Sequence, residues 1–265
     1  MVKMKTKKDD LTSQILKRYG PSRYVIGESH WKEVFSDIII SKNKCPQLFK
    51  TMRLLQFFEQ GYYLFPLLSK NLDEINHIGE LNLLRESSRF QYDAQQLLSS
   101  TGRNEYVLFG SIPLAQSNGI SIGQVPSFLL NSIIKLVPEI MTTEIGKKWK
   151  QEVEAVDKEI WRGKESLLFE EVLRTINQLD IVKTLLPNVS EVAQLMMLVN
   201  KTYGEYLFSN HSVLTRDRYS PTEQAVAGFY DQGGMSILKQ DVRSIVSTNG
   251  IVLTIPISIL FDVTI

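Results

Sequence analysis

One long stretch of the chain carries apolar residues at a helical spacing. Within residues 141–163 the apolar positions recur every three or four residues and the charged ones lie opposite: Ile145, Trp149, Val153, Val156 and Ile160 form the apolar set. This spacing puts them on one face of a helix with 3.6 residues per turn. Thr142 or Thr143 can cap the start, and Gly163 can end it. The pattern predicts an amphipathic helix about 30 Å long.

Helical patterns also occur on both sides of this stretch. Residues 11–19, 29–39, 46–68 and 72–98 favour helices, with interruptions near Gly61, Pro66 and Gly79, while residues 22–26 favour an extended segment. Residues 165–179 again have helical spacing. Residues 193–200 fit either a helix or a short buried strand, because a continuous apolar run has no period that separates the two.

Two other stretches predict strands. Residues 106–114 are β-branched and aromatic, residues 117–119 have turn chemistry, and residues 120–122 alternate again. This order predicts a two-stranded ribbon with its tip near Asn118 and Gly119. Every odd position from Ile251 to Ile265 is apolar, which predicts a long strand with one buried face. Pro256 has no N–H, so we expect this strand to lie at a sheet edge or to bend there.

A capping signature predicts one more helix. The residues at 220–223 match the start of a helix, with Ser220 at the cap, Pro221 at the first helical position and Glu223 at the third. We therefore predict a helix from Pro221 to Tyr230 that stops at Gly233-Gly234. The order of elements then divides an α+β chain into six segments. These are a basic arm (1–10), a helical region (11–102), an extended β-ribbon with its connection (103–138), the long helix (139–163), a mixed α/β region (164–250) and a long terminal strand (251–265).

Composition narrows the functional classes. The 265 residues are 43% hydrophobic and 22% charged, which is typical of a globular protein. The net charge is only +1, but residues 1–60 hold 12 Lys/Arg against 6 Asp/Glu, so one end is basic. Cys45 is the single cysteine, which excludes an intramolecular disulfide and favours a structural thiol in a reducing compartment. No apolar run reaches the roughly 18 residues of a membrane span.

The candidate chemistry is sparse. Glu74-x-x-His77 has the spacing of di-iron carboxylate bundles, but the sequence has no second copy, so a solvated helix face is the competing interpretation. A helical-bundle metal-dependent enzyme using Glu74, His77 and His30 remains an alternative. Arg23 and His30 have a ribonuclease-like spacing but straddle Gly27 and an extended segment. No phosphate loop or nucleophile elbow is present. We therefore predict no enzyme activity, no cofactor and no metal site.

From about residue 104 onward the order of elements resembles the shell-forming fold of tailed-phage major capsid proteins and encapsulins. In that fold an extended loop precedes a long spine helix that ends near an aromatic residue and glycine, as Trp161 and Gly163 do here. The resemblance implies a buried strand over residues 195–200, a helix over 203–208, a helix over 221–230, and a strand over 235–238 after the Gly233-Gly234 turn. The first hundred residues have no counterpart in this family.

The resemblance implies a capsid-type protein that assembles into an icosahedral-type shell in a virion, made in the host cytoplasm. An encapsulin-like compartment with protein cargo is the alternative. The implied partners are identical subunits, with packaged nucleic acid facing the basic arm and no membrane. Two sets of residues carry these predictions. Nucleic acid would contact Lys3, Lys5, Lys7 and Lys8. Neighbouring subunits would contact Ile251, Leu253, Ile255, Ile257, Ile259 and Phe261, because a long edge strand seeks a partner.

Overall fold

The computed structural model describes residues 24–27, 30, 32, 51–78, 97, 99–117, 119–161, 169–241 and 249–261. Its first helix, α1 (Thr51–Glu59), buries Leu54, Phe57 and Phe58 and ends at Gly61. Gly61 has φ +79°, a left-handed conformation that closes the helix at little steric cost for glycine. The next residues form strand β1 (Tyr62–Pro66), so the helix predicted over 46–68 is confirmed from Thr51 to Glu59, and residues 46–50 lie outside the described residues.

A three-stranded antiparallel sheet lies at the centre of the described structure. Its order is β1–β2–β7, where β2 is Tyr106–Gly110 and β7 is Thr254–Pro256. The outer side of β1 is covered by a short extended segment, because the Ile26 N–H donates to the Leu64 carbonyl at 2.9 Å. The extended conformation predicted for residues 22–26 is thus confirmed at Val25 and Ile26.

Side chains on the two faces of this sheet enter two different hydrophobic clusters. Leu64 and Leu108 join one cluster, and Phe65 and Phe109 join the other. All ten residues of β1 and β2 are buried, so neither face of these strands meets water. A strand buried on both sides has no apolar–polar alternation, which is why the aromatic run of β1 did not show its strand character in the sequence.

The ribbon predicted over residues 103–138 is wrong. Only β2 is a strand, and it pairs with β1 and β7 rather than with residues 120–122. The chain continues through a 3₁₀ turn, Ile122–Gln124, into helix α3 (Val125–Leu136) and a second 3₁₀ turn, Pro138–Thr142. Between β1 and β2, helix α2 (Leu72–Ile78) confirms the start of the helix predicted over 72–98.

The long amphipathic helix is confirmed as α4 (Glu144–Trp161). Its predicted apolar stripe is buried at Trp149, Val153 and Val156, and the residues between them are exposed except for the half-buried Glu152. Thr143 caps it: the Gly146 N–H donates to Thr143 Oγ1 at 3.1 Å, and the Thr143 hydroxyl donates to the Ile140 carbonyl at 2.7 Å. Gly163, the predicted stop, lies outside the described residues.

Replacing Thr143 with alanine is expected to lower the free energy of unfolding by about 1 kcal/mol, because one N–H of the first turn of α4 loses its acceptor. Urea denaturation of the variant measures this change. Thr142→Ala is the matched control, because the Thr142 hydroxyl donates to the Glu139 carbonyl in an exposed position. Equal effects of the two substitutions would contradict the capping role of Thr143.

Helices α5 (Phe169–Gln178), α6 (Asp180–Leu185) and α7 (Val189–Tyr203) follow. The helix predicted over 165–179 is confirmed in α5. Residues 195–200, for which the capsid resemblance implied a strand, belong to α7. The helix implied over 203–208 is not formed, because α7 ends at Tyr203 and residues 204–208 are an irregular segment that leads into a turn. Every residue from Val189 to Val199 is buried, and a helix buried on all sides loses its amphipathic period.

A second sheet has the order β5–β4–β3–β6. Its strands are β3 (Ser212–Ser220), β4 (Glu223–Asp231), β5 (Gly234–Asp241) and the short β6 (Asn249–Gly250), which runs parallel to β3. The strand predicted after Gly233-Gly234 is confirmed as β5. One face of this sheet joins α7 and the central sheet in the second hydrophobic cluster. The chain is therefore α+β, with α7 enclosed between the two sheets.

The helix predicted over 221–230 is wrong, because these residues form the turn and second strand of a hairpin. Pro221 and Thr222 form a two-residue turn between Ser220 and Glu223, and the Ser220 hydroxyl donates to Glu223 Oε2 at 2.9 Å. The same serine–glutamate spacing that forms a capping box on a helix here closes a turn. Pairing of β4 with both β3 and β5 overrides the local helix signal.

The long terminal strand predicted over 251–265 is also wrong in length. Within residues 251–261, the part of this segment that the structure describes, only β7 is a strand. It lies at the sheet edge as Pro256 predicts, and helix α8 (Ile257–Phe261) begins directly after it. Five of the six predicted contact residues lie in the core of the chain itself: Ile251, Leu253, Ile255, Ile257 and Ile259. An interface between copies would therefore have to use other side chains. The side chain of Phe261 lies outside the described set.

Candidate functional site: a buried arginine–carboxylate cluster

Charged side chains from three parts of the chain meet at the N-terminus of α7. We call this the Glu191 cluster and define it as Arg103 and Glu105 before β2, Glu191 on α7, and Arg216 and Asp217 on β3. Among the residues that the structure describes, it is the densest group of buried charge. Because buried charges are found at functional sites as well as in structural networks, it is the candidate site.

The first turn of α7 builds the centre of the cluster. Asn188 is the cap: the Glu191 N–H donates to Asn188 Oδ1 at 2.8 Å, and the Asn188 N–H donates back to Glu191 Oε2 at 3.0 Å. This reciprocal arrangement is a capping box. The Asn188 side-chain amide also donates to the Thr101 carbonyl at 2.7 Å, which ties the helix start to the segment before β2.

Two arginines bind the fully buried Glu191 carboxylate from opposite segments. Arg103 donates to it from Nε at 2.9 Å, from Nη2 at 3.1 Å and from its backbone N–H at 3.1 Å. Arg216 donates from Nη2 at 2.9 Å and Nη1 at 3.3 Å. Both guanidinium groups also donate to backbone carbonyls at the end of α6, Arg103 to Thr184 and Arg216 to Lys183 and Leu186. Four segments are thereby fixed to one carboxylate.

Electrostatics differ among the three acids of the cluster. Burial alone would raise the pKa of Glu191, but Arg103 and Arg216 outweigh burial and hold that pKa below its usual range. Burial raises the pKa of Glu105, against the opposing effect of Arg103. Burial also raises the pKa of Asp217, although its two hydrogen bonds favour the charged form. Glu191 is therefore the ionised centre of the cluster.

A second set of polar contacts fixes the chain beside the cluster. Gln194, one turn further along α7, accepts from the Leu68 N–H and donates to the Leu68 carbonyl, both at 2.9 Å. Gly102 lies against this pair: a Cβ at position 102 would come within 2.5 Å of the Leu68 oxygen and 2.6 Å of Gln194 Nε2. Only glycine fits at this close approach. The site therefore acts as a junction that holds the central sheet to α7.

The residues of the alternative metal-dependent enzyme have structural contacts where their side chains are described. Glu74 binds Lys70 at 2.7 Å and the Asn71 N–H at 2.9 Å, and His30 Nδ1 accepts from the Gly27 N–H at 3.0 Å. His211 contacts the Phe208 ring, and burial lowers its pKa. Within the described part of the chain no group of three His, Cys, Asp or Glu side chains could hold a metal ion.

Several other predictions fall outside the described residues. These are the basic arm with Lys3, Lys5, Lys7 and Lys8, together with Arg23 and Cys45; the side chain of His77 is also not described. Among the helices that the structure does describe, none combines the length and the apolar composition needed to cross a membrane.

The sequence contained one signal for this site. Asn188 followed by Glu191 matches the capping-box pattern, which predicts a helix start. Nothing local identified Arg103 or Arg216, because they lie 88 and 25 positions from Glu191 and meet it only through the fold. A scan of protein-family models matched none, and searches of curated proteins and of solved structures found no similar chain.

Proposed function

We propose that this chain is a self-associating structural protein whose copies join along β5, an edge strand of the second sheet. The specific assembly we propose is a capsid-type shell around nucleic acid in a virion, with an encapsulin-like compartment as the alternative. The observation that carries the proposal is the position of β5. It is the longest strand at an edge of either sheet, and among the described residues it pairs only with β4.

The other sheet edges offer less. The outer side of β1 is bridged by Val25, and β6 and β7 are two and three residues long. An open edge presents backbone donors and acceptors that another strand can satisfy, which is the usual route to strand addition between chains. Eight residues of β5 are enough for a strand of ordinary length.

Side chains on β5 support pairing of this edge. Leu238 is 41% exposed, which makes it one of three large exposed hydrophobic residues in the described structure, with Ile112 and Tyr206. Lysine on an edge strand commonly prevents association, but Lys239 binds Glu223 on β4 at 2.9 Å. That ion pair neutralises the charge of Lys239, which would otherwise oppose pairing at this edge. In an antiparallel pair centred on Leu238, the two exposed leucines would cover each other.

The shell form of the proposal rests on element order. Of the elements that the resemblance implied, the long helix α4 and the strand β5 after the Gly-Gly turn are formed, whereas the strand over 195–200 and the helices over 203–208 and 221–230 are not. The long terminal strand, which we predicted would join neighbouring subunits, is only three residues long in the described part of the chain. The proposal therefore moves the subunit contact to β5.

Light scattering coupled to size exclusion, followed by negative-stain microscopy, tests the proposed function. We expect closed particles of many subunits, each of 30.3 kDa. Absorbance spectra of purified particles then separate the two forms, because a capsid contains nucleic acid and an encapsulin-like compartment contains protein. A monomer at all concentrations would overturn the proposal.

Leu238→Asp is expected to reduce the wild-type assembly to monomers, because like charges would face each other across the paired edges. Ile112→Asp is the matched control. Ile112 is 63% exposed and directly follows β2, a strand of the central sheet, whereas β5 belongs to the second sheet. Both variants should keep the far-ultraviolet circular dichroism of the wild type. Assembly that survives Leu238→Asp, or that Ile112→Asp abolishes equally, would remove β5 as the contact.

A further inference from the structure

The charges of the Glu191 cluster do not balance. It contains three carboxyl groups, on Glu105, Glu191 and Asp217, but only two guanidinium groups. Both guanidinium groups are bound to Glu191 at hydrogen-bonding distance. If all three acids were ionised, the cluster would hold one uncompensated negative charge in a largely buried place, which is costly.

Asp217 is the carboxyl group of the cluster whose hydrogen-bond donors are both uncharged. Its Oδ1 accepts from the Ser100 hydroxyl at 3.0 Å, and its Oδ2 accepts from the Val189 N–H at 2.8 Å. Both donors are neutral, and none of the ion pairs in the described structure includes Asp217. Although the residue as a whole is partly exposed, its carboxyl group lies between the segment before β2 and the start of α7.

The groups that face Asp217 come from every element packed against it. The segment before β2 contributes Ser100, α7 contributes Val189 and Glu191, and β3 contributes Arg216. The other two charged members of the cluster, Arg103 and Glu105, pair with Glu191 and with each other. The end of α6 contributes only backbone carbonyls, which are already used by the arginines. Arg216 attracts the Asp217 carboxylate electrostatically, but its guanidinium group is hydrogen-bonded to Glu191, so this attraction is shared between two acids.

We propose that Asp217 is a proton-binding site that brings the Glu191 cluster to neutrality, so that proton uptake tightens the junction between the segment before β2 and α7. The Ser100 hydroxyl is suited to both states, since a hydroxyl donates to the ionised carboxyl and accepts from the protonated one. The fold would thus hold α7 more firmly on the acid side of neutrality.

The direction of the pKa shift agrees with this geometry. Burial raises the pKa of Asp217 above its ordinary value of 3.8 and outweighs the opposing effects of the Val189 N–H, Arg216 and the Ser100 hydroxyl, while the negative charge of Glu191 adds a smaller rise. A carboxyl with a raised pKa binds its proton more tightly in the folded chain than in the unfolded one. Stability must therefore increase as pH falls through the folded pKa of Asp217, and stop increasing below its unfolded value.

Urea denaturation of the wild type and of Asp217→Asn tests the proposal. The wild-type midpoint should rise as the pH is lowered from neutrality towards the ordinary aspartate pKa of 3.8, whereas the variant, which is permanently neutral, should lose most of that rise and be at least as stable at neutral pH. Glu105→Gln is the matched control, because burial raises that pKa too. The proposal is overturned if Asp217→Asn keeps the wild-type pH dependence, or if Glu105→Gln alone removes it.

Infrared difference spectra of the wild-type chain provide a test that does not require the variant to fold. With isotope-labelled aspartate, a protonated aspartic acid gives a carbonyl band that shifts with the label, and glutamic acid gives an unshifted one. We expect a label-sensitive band that grows over the same pH range as the stability. The absence of such a band would show that Asp217 stays ionised and would overturn the proposal.

Discussion

Replacing Glu191 with glutamine should lower the free energy of unfolding by about 3 kcal/mol, at the lower end of the range for breaking a buried ion pair. The carboxylate accepts six hydrogen bonds, five of them from Arg103 and Arg216 and one from the Asn188 N–H. Glutamine keeps the shape but removes the charge and turns one acceptor into a donor facing guanidinium groups. The arginine side chains are 17% and 16% exposed, so water relieves part of the loss.

Urea unfolding, analysed by linear extrapolation, measures this loss. Glu144→Gln is the control with the same chemical change. Glu144 binds Lys147 at 2.7 Å, but its side chain is 91% exposed, so no measurable change is expected there. If the two variants were equally stable, the Glu191 cluster would not be the junction described above.

The pH dependence of Glu191 has the opposite sign to that of Asp217. Its pKa is lowered in the fold, so the stability from its ion pairs is present above its ordinary value of 4.5 and is lost as pH falls through the folded pKa. In Glu191→Gln this loss in strong acid should disappear, and the wild type and variant should converge. The pH dependence of Glu191→Gln and that of Asp217→Asn therefore distinguish the contributions of Glu191 and Asp217 to stability.

Truncating Trp149 to alanine should cost about 4 kcal/mol, because a fully buried indole leaves a large cavity between α4 and its neighbours. Trp149→Phe should cost much less. Phenylalanine keeps an aromatic ring in the same pocket and removes the indole N–H, which has no hydrogen-bond partner in the described structure.

Thermal and urea unfolding of both variants check this prediction, with Lys150→Ala as the neighbouring control. Lys150 lies on the exposed side of α4 and forms a surface ion pair with Glu154 at 3.8 Å. If Trp149→Phe destabilised the chain as much as Trp149→Ala, the indole N–H would have a partner, such as a water molecule, that contributes to stability.

The sequence predicts elements well where one side meets water. The apolar stripe through Trp149, Val153 and Val156 identified α4 because its other side carries exposed charges. β1 and the first eleven residues of α7 are buried, so their sequences show no alternation of apolar and polar residues. As a result, β1 was wrongly predicted as helix, and residues 193–200 of α7 fitted either a helix or a strand. The same limit applies at 251–257. The alternation there is real, since Ile251, Leu253 and Ile255 share one cluster, but Val252 and Thr254 between them are buried as well.

The candidate site was less predictable than the fold. A capping box at Asn188 and Glu191 is a local pattern, and a sequence can show it. Nothing in the local sequence distinguishes Arg103 and Arg216 from arginines on a protein surface. They lie 88 and 25 positions from Glu191, and they reach it only because the segment before β2 and strand β3 pack against α7. Ser220 and Glu223 show the opposite kind of error. Their spacing matches a helix cap and predicted a helix, but strand pairing makes the same residues flank a hairpin turn.

The central sheet joins strands made at very different times during synthesis. β1 and β2 can pair early, but β7 completes the sheet from the far end of the described chain, and Ile255 fills the same cluster as Leu64 and Leu108. Contacts so distant along the chain slow folding, and an incomplete sheet exposes its edge meanwhile. The nascent polypeptide is thus expected to stay partly open on the ribosome, where a chaperone would have its best opportunity to bind the uncovered side of β2.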